Sequence, residues 1–461
     1  MNIYFELENY SREMESRILM SMEAALSGHI SYISNRINLL LNASNKNIEP
    51  GVLFLKDINS SKFIQDHLNQ IKKNGFVVIC TDEEAGIQYD DYKDFMKIRS
   101  ITKFENVDIF ICWGLRDKNI LKYKFKKGNT KFLALGSVRF DLCKNNILKN
   151  KNFLSLKKKI NNKYILVSSN ISFPIGIRKL EDFINSRILE NPFDLEFREN
   201  FFYDKFSRHT EKCYYFLKLI RKLAKKYKDK LIIIRPHPNE KVSTWEKILI
   251  HKYNNVKIIK SGFLAEYIFN AETTIHTSCT TGIESFIMRK PSISYIPENI
   301  KSSIDEGMSN SLSVQCKTEE EVINTIDNLD KIEIKTNQEL DYRVMNSKFS
   351  KTYKQLDKMF NIVSKKNNFK STNSDYFLRL NNKGIFGYLK YVSKRILFAI
   401  LNIPLDKPNI IIKNPPNAYE KFPPLTHQKV NEIFSELKKI DKKYHDIKIK
   451  ILNESTIKIF K

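Results

Sequence analysis

A chain of 461 residues exceeds one ordinary domain, and with 42% hydrophobic and 28% charged residues it can bury cores, which excludes a disordered chain. The net charge of +26, from 78 Lys and Arg against 52 Asp and Glu, draws the protein toward polyanions. No nucleic-acid fold signature accompanies that charge, so nucleic acid is not an expected partner.

Two readings of the charge stand. One is compositional, since Lys, Asn and Ile are abundant throughout. The other is attraction to an anionic membrane surface. The 31 Phe and 21 Tyr favour packed sheets, and no repeat of fixed period is visible. Six scattered cysteines carry neither a zinc pattern nor a disulfide framework, so no metal is expected and a reducing cytoplasm fits. The N-terminus leads directly into Ile3-Tyr4-Phe5 without a signal peptide. No apolar run reaches the roughly 20 residues that span a bilayer. A cytoplasmic location follows, peripheral on the inner membrane face if the second reading of the charge holds.

The predicted elements alternate. Ile3–Phe5 reads as a strand, and Ser11–Leu26 as a helix with Met14, Ile18, Met22 and Ala25 on one face and Gly28 beyond its end. His29–Ile33, Val52–Leu55, Phe76–Cys80, Val107–Cys112 and Phe132–Leu135 follow as strands at spacings that admit helices. Such a βαβ series predicts a parallel, doubly wound sheet. After the basic stretch 149–162 the pattern restarts. Strands are expected at Tyr164–Val167, Leu231–Ile234, Val256–Ile259, Thr274–Ile275 and Ser292–Tyr295, with a long helix over Thr210–Tyr227.

The fold class is therefore α/β with GT-B architecture: two Rossmann-like domains facing across a cleft, plus a C-terminal helical and irregular extension. Residues 1–150 form the expected acceptor domain and 163–335 the donor domain. A helix within 336–364, over Glu339–Val363, associates with both, and Lys365–Asp375 reads as a linker. Residues 376–461 form the extension. Within it Gly384–Ile403 is a basic amphipathic segment that suits either a membrane surface or the protein's own. Six prolines from Pro404 to Pro424 mark an irregular stretch, followed by a helix near Gln428–Asp441 and two short strand-like runs.

Four sets of residues carry chemistry. The buried strand Leu231–Ile234 ends in Arg235-Pro236-His237-Pro238, where open α/β sheets bind ligands. The prolines fix where His237 points, so that it can bond a phosphate or protonate a leaving group. The second set runs from His276 through Thr277, Ser278, Cys279, Thr280, Thr281 and Gly282 to Glu284. Hydroxyls and backbone N–H groups at a helix start bind phosphate, and Glu284 can accept ribose hydroxyls, although a merely capped helix looks the same. Asp82-Glu83-Glu84 follows a buried strand of the first domain, as a general base or as a solvated acidic loop. Glu6, Ser11, Arg12, Glu13 and Arg17 lie at the first strand end and helix start, facing the expected cleft or simply capping the helix. Ser168, Ser169 and Asn170 occupy the analogous place in the second domain.

Taken in order, Glu6 with Ser11-Arg12-Glu13, Asp82-Glu83-Glu84, the segment Leu135–Leu142, Arg235-Pro236-His237-Pro238 and the segment His276–Glu284 resemble the bacterial "surface carbohydrate biosynthesis protein" family. Asn310-Ser311-Leu312-Ser313 and Lys421-Phe422-Pro423-Pro424 are similar to its later segments, so the resemblance covers most of the chain. The His-Pro and Ser/Thr-Gly motifs are similar to those of bacterial sialyl-, polysialyl- and Kdo-transferases, which use CMP-activated acidic sugars and carry an acidic pair followed by Gly as the base motif. Here Ala85 intervenes between Glu84 and Gly86, which leaves the choice between Glu83 and Glu84 open. Gly136-Ser137 stands where the family commonly has Gly-Asn-Pro.

The resemblance implies a metal-independent glycosyltransferase of capsule or O-antigen synthesis, without a cofactor. It would move a nonulosonic acid or Kdo from a CMP donor to a growing or lipid-linked glycan. His237 would contact the donor phosphate, with Arg235, His276, Ser278, Thr280, Thr281, Gly282, Ser168 and Ser169 around the donor and Glu284 on the ribose. Glu83 or Glu84 would activate an acceptor lying among Glu6, Ser11, Arg12, Glu13 and Asp82. Two alternatives stay open: a polyol-phosphate transferase using CDP-glycerol or a relative, and a catalytically silent GT-B scaffold that binds a glycan or a partner.

Overall fold

The computed structural model describes residues 1–58, 62–83, 104–151, 156, 160, 163–171, 173–176, 184, 195–249, 253–298, 307–334, 337–345, 352–369, 371, 425–453 and 455–461. Six parallel strands form the body of the first sheet: β1 (Asn2–Glu6), β2 (Ile30–Ser34), β3 (Val52–Leu55), β4 (Val77–Thr81), β5 (Ile109–Cys112) and β6 (Lys131–Ala134). A second sheet holds β7 (Tyr164–Ser168), β8 (Leu231–Arg235), β9 (Val256–Ile258), β10 (Thr273–His276), β11 (Ser292–Tyr295) and β12 (Val314–Cys316). These strands read as near-continuous apolar runs because helices cover both faces of a parallel sheet.

Strand order decides where ligands can lie. In the second sheet the order is β12-β11-β10-β7-β8-β9, all parallel. Successive connections run one way from β7 and the other way from β10, so the crevice opens at the carboxyl ends of those two neighbours. Ser168 and His276 end them in register. In the first sheet β1 lies between β2 and β3, which puts the reversal at Glu6 and the residues after Leu55.

The chain's end returns to the first domain. Strands β13 (Lys448–Asn453) and β14 (Thr456–Phe460) add to the β2 edge antiparallel, giving eight strands in the order β13-β14-β2-β1-β3-β4-β5-β6. Helices Thr352–Asn367 and His427–Lys438 pack with helix Tyr10–Leu26 in one core. Leu356, Met359, Phe360 and Val363 face inward at helical spacing, and Phe360 meets Phe5 and Phe54 with ring centroids 5.9 and 6.2 Å away. Burying such a ring stabilises by about 1.5–3 kcal/mol.

Several expectations change. The helix expected over Glu339–Val363 is two helices, Gln338–Arg343 and Thr352–Asn367. Val344 is extended, and the Met345 amide donates to the Trp113 carbonyl at 2.7 Å, tying this crossing to the end of β5. The second of these helices runs into the expected linker as far as Asn367. The long helix begins at Leu195 rather than Thr210. The final strand-like runs extend the first sheet beyond β2, with β13 at its edge. Gly384–Ile403 and the proline-rich stretch lie outside the described residues. No helix among the described residues is long and apolar enough to cross a membrane. All six cysteines are buried free thiols.

Candidate functional site

The turn after β8 is organised by a residue that motif reading passed over. Glu240 is fully buried, and four donors converge on its carboxylate. The Ile171 amide meets Oε1 at 2.8 Å, and Oε2 takes the Ser169 hydroxyl at 2.5 Å, the His237 amide at 3.1 Å and the Trp245 indole at 2.9 Å. Burial pushes this carboxyl above the usual range, and the four hydrogen bonds draw it back. Its only local signal was an acid three residues beyond His237.

His237 is half-buried on this frame. Its Nδ1 accepts from the Asn239 amide at 3.2 Å, so Nε2 carries the proton. Arg12 of the first domain places Nη2 3.4 Å from that Nε2. With both atoms protonated, this is a meeting of two donors across the cleft, and an anionic oxygen is the group both would share. Half-buried His209 is held well below the ordinary histidine range by the burial of its ring and then by Lys205, Lys212 and Arg208.

Arg235, expected around the donor, is held by the loop after β9. Its guanidinium turns back onto the carbonyls of Ile259, Ser261 and Gly262 and lies 4.6 Å from the Tyr267 ring centroid. Burial draws its pKa down to about 10, against the opposing pull of Tyr267 and Glu266. Arg235 thus ties the end of β8 to the loop after β9.

His276, also expected around the donor, sits beneath the loop. It is fully buried, its Nε2 lies 2.8 Å from the Ser313 hydroxyl, and burial pushes its pKa down to about 3. The neutral ring forms a wall under the next helix, Thr281–Ile287. A Cβ on Gly282 would stand 2.3 Å from the Ser309 carbonyl and 2.7 Å from His276 Nε2, so only glycine fits.

Between them Ser278 adopts a left-handed φ of 45°, a conformation costing about 1–2 kcal/mol. Asn310 holds it there: its Oδ1 accepts from the Ser278 amide at 3.1 Å, and its Nδ2 donates to the Ser278 hydroxyl at 3.2 Å. The loop therefore has a fixed shape, with Ser168 and Thr281 hydroxyls 3.1 Å apart across the β7–β10 crevice.

On the first domain, Glu83 is buried and ion-paired, with Oε1 3.1 Å from Arg17 Nη1 and the Ser137 hydroxyl 3.5 Å from Oε2. Arg17 is positioned in turn by donating from Nε to the Glu6 carbonyl at 2.9 Å. Glu84 lies outside the described residues. Asp82 is buried beside Asp117, whose carboxyl is pushed up to about 6, chiefly by burial, with Asp82 adding to the rise against Arg116.

The remaining acids, expected near the acceptor, make local contacts. Glu6 accepts from Arg36 Nε at 2.6 Å and from the Lys56 amide at 2.9 Å. Glu13 accepts from the amides of Glu8 and Asn9 at 2.9 and 3.3 Å, closing the helix start, and Ser11 donates to Asn9 at 3.0 Å. Capping accounts for Glu13 and Ser11, while Arg12 alone of this set reaches the other domain.

A second link crosses the cleft. Arg139, which follows β6 in the first domain, donates from Nε and Nη2 to Glu284 Oε1 at 2.7 and 2.6 Å and from Nη2 to the Thr280 hydroxyl at 2.7 Å. Arg139 lies within the segment Leu135–Leu142, but nothing in that segment points to its partner, which lies 145 positions away. Among the described residues no group of His, Cys, Asp and Glu could hold a metal ion.

The fold recurs among solved structures. A UDP-GlcNAc 2-epimerase of Methanocaldococcus jannaschii, in complex with UDP-GlcNAc and UDP, matches over 78% of this chain and 100% of its own at 14% identity and a TM-score of 0.50. A structure of the wall teichoic acid polymerase TagF soaked with CDPG matches over 80% of this chain and 90% of its own at 12% identity and a TM-score of 0.50. No protein-family model and no curated protein matches the sequence. At these identities the likeness is one of fold, and the fold is GT-B, two Rossmann-like domains facing across a cleft.

Proposed function

We propose that the protein is a glycosyltransferase of bacterial surface polysaccharide synthesis that takes its sugar from a nucleotide donor, with a CMP-linked acidic sugar as the favoured substrate. The observation that carries this reading is the pairing of the two sheet ends: Arg12 meets His237, and Arg139 meets Glu284, each pair joining the domains. Donor groups and a carboxylate thereby surround one cleft. The structures that share the fold carry, in their names, nucleotide-linked substrates.

In this mechanism the nucleotide phosphate lies against His237, Arg12 and the Ser278–Thr281 loop, with the ribose on Glu284. Glu83 or Glu84 takes the proton from the acceptor hydroxyl as its oxygen bonds to the anomeric carbon. The bond from that carbon to the phosphate oxygen breaks, its electron pair leaves with the nucleotide, and Nε2–H of His237 hydrogen-bonds to or protonates the departing oxygen. The acceptor is a glycan, free or lipid-linked. The basic segment Gly384–Ile403 would bring the enzyme to the anionic cytoplasmic membrane face where such acceptors are assembled.

A second reading, transfer of a phosphopolyol from a CDP donor, draws on the fold shared with the CDPG-soaked polymerase. Calorimetry with CMP, CDP, UDP and GDP, followed by product analysis with CMP- and CDP-linked donors, separates the two. Release of CMP with a glycosylated acceptor supports the first reading, and a phosphodiester product with CDP-glycerol supports the second. A protein that binds none of the four nucleotides and transfers from none of the donors is a binding scaffold, whereas normal transfer by His237→Ala would remove His237 from the reaction.

A further inference from the structure

The Arg139–Glu284 contact has an asymmetry that simple domain fastening does not need. Two N–H groups of Arg139 fall on one carboxylate oxygen, Oε1, and the Thr280 hydroxyl shares Nη2. The usual fork places one N–H on each oxygen. Here Glu284 Oε2 and Arg139 Nη1 have no hydrogen-bond partner among the described residues, although the two side chains are only 4% and 9% exposed. Buried polar atoms without a partner are rare, and each calls for an explanation.

Arg139 is itself held firmly. Its amide donates to the Ser137 hydroxyl at 3.3 Å. The turn before it needs Gly136 at a φ of 90°, because a Cβ there would stand 2.5 Å from the Met345 carbonyl of the returning chain. Phe140 beside it is packed edge-on to Trp113 at 4.9 Å. The guanidinium is thus delivered to Glu284 from a rigid corner of the other domain.

We propose that Arg139 is a specificity-determining positioning residue of the nucleotide site: by saturating Oε1 it leaves Oε2 of Glu284 as the single acceptor for a ribose hydroxyl. This rests on the reading of Glu284 as a nucleotide ligand. A ribose hydroxyl supplies the donor that Oε2 lacks. Because the orienting cation belongs to the first domain, the site reads ribose only when the two domains stand together.

The test compares CMP with 2′-deoxy-CMP and 3′-deoxy-CMP by calorimetry, and UDP with its deoxy forms, on the full chain. The wild type should prefer the ribonucleotide over at least one deoxy form by about 10-fold or more, the worth of a hydrogen bond to a charged group. Arg139→Gln should bind the ribonucleotide about 10-fold or more weakly and lose the preference, Glu284→Gln should do the same, and the double variant should be no worse than either. Should Arg139→Gln fail to fold, Arg139→Lys carries the test, since it keeps the charge and lacks the fork; it should fold and show a preference of about 3-fold or less. An unchanged preference in the folded Arg139 variant overturns the inference. Tighter binding by that variant also overturns it, showing a latch that competes with nucleotide. A wild type that binds neither CMP, CDP, UDP nor GDP removes the functional reading itself, and the inference with it.

Discussion

Replacing Glu240 tests whether the turn that carries His237 is held from below. Four donors meet its carboxylate: the Ile171 and His237 amides, the Ser169 hydroxyl and the Trp245 indole. Glu240→Leu keeps the bulk and leaves all four without an acceptor. Each unmet buried donor costs about 1–3 kcal/mol, and since the four share one site their costs do not add fully, so about 4 kcal/mol or more is expected. Glu240→Gln is different. It removes a desolvated charge, which burial disfavours, and its carbonyl can keep the three contacts at Oε2. Its amide then faces the Ile171 N–H, donor against donor, at about 1–3 kcal/mol. The assay is thermal unfolding with a probe in the second domain. At about 2–4 °C per kcal/mol for a domain of this size, Gln should lower the midpoint by about 2–12 °C and Leu by about 8 °C or more. Equal midpoints for Leu and wild type would refute the reasoning and reduce Glu240 to a tolerated buried acid.

Gly282→Ala should destabilise the second domain by about 1–3 kcal/mol or shift the loop, since its Cβ would meet the Ser309 carbonyl at 2.3 Å; chemical denaturation measures it, and a neutral effect would show that the helix start can move freely. Phe360→Ala should cost about 3–5 kcal/mol in the first domain, because the ring fills the space against Phe5 and Phe54; a loss under about 1 kcal/mol would mean that the returning helix contributes little. Stability should also decline with acid. His276, pushed down to about 3, His29, pushed down to about 4, and His209 stay neutral in the fold but protonate near 6.5 when unfolded. The unfolded chain then binds more protons, so stability is full above about 6.5 and falls as pH drops toward 3. Asp117, raised to about 6, and Glu6, Asp141 and Glu240, also raised by burial, oppose this as the pH falls, so the histidine contribution is read by difference: a His276→Gln variant should lose less stability than the wild type between about pH 6.5 and 4, and parallel profiles would contradict it.

The two parallel sheets were legible because buried strands are short apolar runs and every interval between them admits a helix. The strand-end motifs were legible too, since Arg235-Pro236-His237-Pro238 and the loop into Gly282 mark where a chain leaves a buried strand. Direction of side chains was not. Nothing in the residue types says that Arg235 turns back to three carbonyls while Arg12 turns forward to His237. Glu240 escaped notice because its worth lies in four partners scattered from Ser169 to Trp245. Arg139 depends on a partner in the other domain, and local periodicity carries no information about such pairs. The last two strands were recognised as strand-like, but their place beside β2 comes from an unpaired sheet edge that only the assembled domain presents.

That returning edge has a consequence for synthesis. Ser34 on β2 and Thr456 on β14 share a hydrogen bond across 422 positions of chain. A ribosome moving at about 5–20 residues per second needs about 20–80 s to cover that interval. For most of it the nascent first domain exposes the open edge of β2 and the apolar faces that helices Thr352–Asn367 and His427–Lys438 will cover. An unpaired strand edge beside uncovered apolar surface is the species that associates wrongly at ordinary concentrations. The second domain has all its strands by Cys316 and can close on itself while the first still waits. The half of the protein made first is therefore finished last, and chaperone dependence should fall on the N-terminal half.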